Sequence, residues 1–283
     1  MKQLIFDYSK IVLAYVMAAC VGVITYCLLP FDFWLSLLLA DVAATVIVFM
    51  YSVLFGNASV YDPYWSVQPI VIVAIFCVGK PFSLAWLLPL IVVCLWGLRL
   101  TANWAYTFQG MHHQDWRYTA LKEKTGKWYP LVNFFGIHMM PTLIVYACTL
   151  PIVFVIESGV AFNPWSIVCL LVSVAAFTLQ GMADVQMHKF RKRKGVGFIR
   201  DGLWKYSRHP NYLGEILMWW GIGAYAVVLL PGCWYLLAGA LINTLLFLFV
   251  SIPLADGRQS KKEGFEGYKK QTRMLLPIPK KSK

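Results

Sequence analysis

Charge is what this sequence has least of. Only 13% of its 283 residues are Asp, Glu, Lys or Arg, where a soluble domain carries roughly a quarter. A water-exposed globule is excluded by that shortage. Period-2 alternation of apolar and polar residues is missing as well, so the apolar runs do not describe a membrane β-barrel. No CxxC pair occurs among the seven cysteines, Cys20, Cys27, Cys77, Cys94, Cys148, Cys169 and Cys233. All of them fall in or beside apolar stretches and are read as small buried hydrophobes. HExxH and spaced Cys/His sets are absent too, which removes the usual sequence signature of a zinc site. Internal repeats and low-complexity segments are also lacking.

What the sequence has instead is apolar length: 59% of its residues are hydrophobic. In hydrocarbon every backbone N–H and C=O must find a partner inside the protein, so continuous apolar runs of about 15–25 residues become helices. Eight can be drawn, at 11–29, 33–55, 66–79, 82–108, 130–156, 165–188, 212–230 and 232–255. The third and seventh are short, which keeps seven spans plus a partial one open. The expected fold is an all-α polytopic bundle of 7–8 transmembrane helices, a single membrane domain over residues 1–283. No small-residue cleavage site follows the first apolar run, so it is read as a retained helix.

The net charge of +12 is placed rather than spread. Lys and Arg crowd before the first span, in the 110–129 connection, between 189 and 211, and after Gly257; 23 of the 25 lie there. Each of these segments follows an even number of spans. The positive-inside rule then puts both termini in the cytoplasm, most simply of a cell inner membrane. Anionic lipid headgroups explain the charge without nucleic acid, which is not expected as a partner.

Polar residues within spans are expensive and therefore informative. Gln180, Asp184, His188 and Arg191 are spaced four, four and three apart, so they form one stripe on a helix. An internal Asp184–Arg191 ion pair accounts for part of the stripe. A polar wall for an anionic, hydroxyl-rich cofactor accounts for all of it, with Arg191 on phosphate. In RHPNYLGE, Pro210 suits the first turn of a helix, and Asn211, Tyr212 and Glu215 share its opening turns. Glu215 either complements the helix dipole or joins Arg208, His209, Asn211 and Tyr212 in a composite cofactor site. In His112-His113-Gln114-Asp115-Trp116-Arg117-Tyr118 the expectation is an ion pair between Asp115 and Arg117 rather than a metal. Asp62, in Tyr61-Asp62-Pro63-Tyr64-Trp65, is either a turn residue among belt aromatics or an acid at a cavity mouth.

The run GLWKYSRHPNYLGEILMWWG, preceded by ADVQMHKFRK and followed by FEGYKKQTRMLLPIPK, resembles the C-terminal domain of the steroid 5-alpha-reductase family. DPYWS, LWGLRL and HQDWRY look like a largely bacterial branch of that family. RHPNYLGE alone has relatives in isoprenylcysteine carboxyl methyltransferases and sterol reductases. The resemblance implies a seven-to-eight-helix membrane reductase holding NADPH at its cytoplasmic face, with a reductase-like region over about 130–283. It carries cofactor contacts onto Asp184, Arg191, Asn211, Tyr212 and Glu215, and matches Tyr268 to a tyrosine of the family's last basic motif. Gln180 stands where the family has asparagine, and Lys261 where it has a further tyrosine. No Gln-Glu element occurs in the first two spans, so the family's substrate-gripping pair has no motif here. Asp62 and Tyr106 are assigned to the substrate side instead.

The expectation is therefore an NADPH-dependent reductase of an activated C=C bond in a lipophilic, steroid-like or isoprenoid substrate, surrounded by membrane lipids. Two rivals stand beside it. An S-adenosylmethionine-dependent lipid methyltransferase would use the same RHPNY and Glu215 elements. A non-enzymatic lipid-binding or transport scaffold would instead spread its polar residues along mid-span.

Overall fold

Apolar runs that cannot pair their backbone with water close it on themselves, and in the computed structural model they do so as helices throughout. The structure describes residues 2–193 and 197–278; the last lysine of RKRK and the terminal PKKSK lie outside the described residues. Eight helices among them are long and apolar enough to cross a membrane, over Gln3–Leu28, Phe33–Leu54, Ala58–Cys77, Leu84–Thr107, Trp116–Ser158, Pro164–Lys192, Pro210–Leu229 and Pro231–Gln259. The described residues contain no sheet, and their one isolated bridge joins Ser207 and Arg273. The fold is all-α and that of an integral, multi-pass membrane protein. Many large apolar side chains, such as Leu28, Phe135, Trp165 and Phe249, stay exposed on these helices, as a lipid solvent requires.

The chain divides into two compact units, Met1–Gly79 with Val93–Leu150, and Lys80–Val92 with Pro151–Lys283. In the first unit α1 (Lys2–Leu28) lies against α2 (Phe33–Leu54). Small residues permit the approach: a Cβ on Gly22 would already touch that of Ala44 at 3.4 Å. Ala14, Ala18, Ala44, Val48, Val60, Tyr61 and Tyr64 form the adjoining core. A 3₁₀ turn at Ala58–Tyr61 leads into α3 (Tyr64–Cys77). That turn is built by Asn57, which accepts from Ser59 N at 2.8 Å and donates to the carbonyls of Met111 and His113. Next come α4 (Leu84–Thr107), α5 (Trp116–Thr125), the single turn α6 (Tyr129–Leu131), a π-helical stretch at Val132–Met139, and α7 (Met140–Ser158).

The second unit is built on α8 (Ile167–Lys192) and α9 (Pro210–Leu229), followed by α10 (Ala238–Leu246), a π turn at Phe247–Ser251, α11 (Ile252–Gln259) and α12 (Phe265–Gln271). Glycines set the α8–α9 distance. A Cβ on Gly214 would sit 2.5 Å from the Ala176 carbonyl oxygen, and one on Gly221 2.7 Å from that of Cys169. Ser173 Oγ donates across the same seam to Met218 O at 3.0 Å.

Candidate functional site

Antiparallel packing of α8 and α9 decides where the polar stripe goes. Gln180 Nε2 donates to Glu215 Oε2 at 2.8 Å, and Trp219 Nε1 donates to Glu215 Oε1 at 2.8 Å. Glu215 is thereby held at 1% exposure with both carboxylate oxygens accepting. One turn further along each helix, the same register brings Asp184 to the level of Asn211, and both are half-buried. His188 is half-buried and Arg191 exposed. The stripe thus runs from a closed carboxylate–amide contact out to a guanidinium at the surface.

The cations beyond that surface end share one field. Lys262 lies outside the spans, and its amine is pushed below its usual range, chiefly by partial burial and then by the positive charges of Arg258 and Arg191. Its Nζ donates to Gly197 O at 2.7 Å. Like charges gathered at one end of the stripe favour an anion. An open groove of about 460 Å³ lies in the same unit, lined by Arg200, Lys205, Tyr206, Tyr268, Gln271, Thr272 and Ile278.

Arg208 and His209 are committed elsewhere. Arg208 Nη2 meets Asp256 Oδ2 at 2.9 Å, and its Nη1 donates to Thr272 O at 2.8 Å. His209 Nε2 meets Asp256 Oδ1 at 2.9 Å and stacks its ring on Tyr212, with centroids 5.2 Å apart. Arg208 N also donates to Arg273 O at 3.0 Å. Together these contacts strap the C-terminal segment onto the start of α9. Tyr268 reinforces the strap by donating its hydroxyl to Trp204 O, and burial raises its phenol above the usual range.

In the first unit, Asp62 is met by α5: the Tyr118 hydroxyl donates to its Oδ1 at 2.6 Å, and Arg117 approaches to 3.8 Å. Arg117 Nε also pairs with Asp115 at 2.8 Å, so the HQDWRY segment is pinned by the ion pair its sequence suggests. Tyr106, on α4, is 60% exposed.

A different polar cluster occupies the interior of this unit, and sequence reasoning passed over it. Asp41, 5% exposed, accepts from Gln68 Nε2 and from the Tyr64 hydroxyl. Tyr61 and Thr45 each hydrogen-bond Thr142 Oγ1, at 2.8 and 3.1 Å. His138, on the π-helical stretch and fully buried, places its Nδ1 3.0 Å from Asn133 O and its ring 4.9 Å from that of Tyr61. The signal was present: Asp41 is the one charged residue in a long apolar run, as His138 is the one titratable side chain in FFGIHMMP. Among the described residues no three His, Cys, Asp or Glu side chains gather as metal ligands.

A family model described as a protein of unknown function, DUF1295, matches residues 48–272. An uncharacterized protein of Schizosaccharomyces pombe is 28% identical over 192 residues, which cover 58% of this chain and 56% of that protein. The chain therefore spans about half the length of this relative. No solved structure matches the chain.

Proposed function

We propose that this chain, which belongs to the DUF1295 family, is an NADPH-dependent membrane reductase that saturates an activated C=C bond in a lipophilic enone of steroid-like or isoprenoid type. The observation that carries this reading is the α8–α9 stripe, which runs from the Gln180–Glu215 contact through Asp184 and Asn211 to Arg191. At Arg191 it meets the field shared with Arg258 and Lys262. A dinucleotide needs that sequence of chemistries: neutral and carboxylate acceptors for amide and ribose groups, then cations for phosphates.

The residues present fit the group. Arg191, Arg258 and Lys262 would hold phosphate, Asp184 and Asn211 would hold ribose or amide, and Glu215 with Gln180 would fix the inner end of the stripe. Arg208 and His209 position the C-terminal strap rather than meet phosphate, because Asp256 engages both. When bound, NADPH supplies two electrons and one hydrogen to the β-carbon of the enone. The second hydrogen arrives as a proton at the α-carbon. The charge pattern agrees with both termini, and with them this rim, on the cytoplasmic side of a cell membrane.

Thermal unfolding of the detergent-purified protein tests the reading, because a ligand bound only by the folded state raises the melting temperature by mass action. NADPH should stabilise, S-adenosylmethionine should not, and both Arg191→Ala and Asp184→Ala should reduce the NADPH shift. Stabilisation by S-adenosylmethionine alone would replace the reductase with a lipid methyltransferase. No stabilisation by either would leave a lipid-binding scaffold.

A further inference from the structure

The buried cluster of the first unit has an imbalance between donors and acceptors. Gln68 Nε2 and the Tyr64 hydroxyl donate to Asp41, while the Tyr61, Thr142 and Thr45 hydroxyls bond one another in a chain. Three of its buried acceptors have no hydrogen-bond partner, namely Gln68 Oε1, Asn133 Oδ1 and His138 Nε2. The role of His138 Nε2 follows from the other ring nitrogen. Nδ1 faces a carbonyl oxygen, which can only accept, so Nδ1 carries the hydrogen and Nε2 presents a lone pair.

These atoms belong to one connected group. Gln68 and Tyr64 share Asp41; the Tyr64 ring lies 5.5 Å from that of Tyr61, and Tyr61 lies 4.9 Å from His138. Asn133 and His138 sit on the π-helical stretch Val132–Met139, a distortion that recurs at functional sites. Unpaired acceptors deep in an apolar bundle are costly to keep. The missing partner must bring a donor, and for a lipophilic molecule that is most simply an O–H, since a ketone, aldehyde or ether brings acceptors only.

We propose that this cluster binds the hydroxyl group of a lipophilic alcohol entering from the bilayer, with His138 Nε2 as its principal acceptor. The site lies wholly in the first unit and needs no nucleotide, so it stands or falls separately from the reductase reading.

The test is binding to the full-length protein in nanodiscs without nucleotide, using matched probes on two scaffolds. These are geranylgeraniol and its methyl ether, and cholesterol, its methyl ether and cholest-5-en-3-one. On at least one scaffold the alcohol should bind about tenfold more tightly than the ether or ketone, the ratio for one well-made hydrogen bond. His138→Phe keeps a ring of similar size and removes the lone pair. It should bring that ratio to about one without lowering the melting temperature of the ligand-free protein. Equal affinity of alcohol and ether for the wild-type protein, or no binding of any probe, would overturn the proposal and leave buried water as the partner. So would a His138→Phe protein that keeps the preference for alcohol. The wild-type comparison decides the matter even if the variant does not fold.

Discussion

Asp256 shows how much one side chain holds in the second unit. Its two oxygens are divided between Arg208 and His209, and Arg208 in turn carries the carbonyl of Thr272. Removing the carboxylate leaves a guanidinium buried without its counter-charge, a change that costs about 3–5 kcal/mol when the pair is well enclosed. Asp256→Ala should therefore lower the melting temperature sharply and open the segment after α11 to protease. Asp256→Asn, which keeps one acceptor, should do less of both, and limited proteolysis followed by mass spectrometry reads the difference. This pairing was beyond local sequence reasoning, because Arg208 precedes α9 and Asp256 lies on α11, with a whole span between them. The Gln180–Glu215 contact was half-legible: each residue stood on a recognisable polar stripe, and only the antiparallel register joined the two stripes. Asp41 and His138 were legible in principle, as polar residues isolated in apolar runs. They were passed over because no motif surrounds them.

The helices themselves were readable wherever burial alone decides them, and less so at their ends. The first helix begins at Lys2, ahead of the apolar run that starts at residue 11, because the polar residues of that turn are satisfied locally and at long range. Asp7 accepts from Met111 N at 3.0 Å and pairs with Lys10 at 3.3 Å. The third span gains the Ala58–Tyr61 turn for a similar reason, since Asn57 draws its partners from Met111 and His113. Glycine offers an element-scale test. Gly214→Ala puts a methyl group against the Ala176 carbonyl and Gln180 N, backbone atoms that cannot turn aside. The strain should cost about 1–3 kcal/mol. It should also weaken NADPH stabilisation, since the Gln180–Glu215 contact lies on the same seam. Gly257→Ala, in α11 with open space around its Cβ position, should instead stabilise by roughly 0.5–1 kcal/mol through helix propensity. Melting temperatures of the two variants should move in opposite directions.

Across the whole molecule, one charge pattern predicts sidedness, and the cysteines supply a way to test it. If the basic segments face the cytoplasm, the short connections after the first, third and seventh spans face the other side. Cys27 stands at the end of the first span, Cys77 at the end of the third and Cys233 just beyond the seventh, while none of the seven cysteines lies in a basic segment. None of the seven forms a disulfide, and Cys27 is exposed while Cys77 and Cys233 are partly so. A membrane-impermeant maleimide added to intact cells should therefore label the native protein. Replacing Cys27, Cys77 and Cys233 together with serine should abolish that labelling, and sealed inverted vesicles should label neither protein. Labelling confined to inverted vesicles would place the basic rim outside, away from the cytoplasmic nucleotide pool. That outcome would remove the cofactor supply the reductase reading requires, while leaving the hydroxyl-binding cluster, which draws its ligand from the bilayer, untouched.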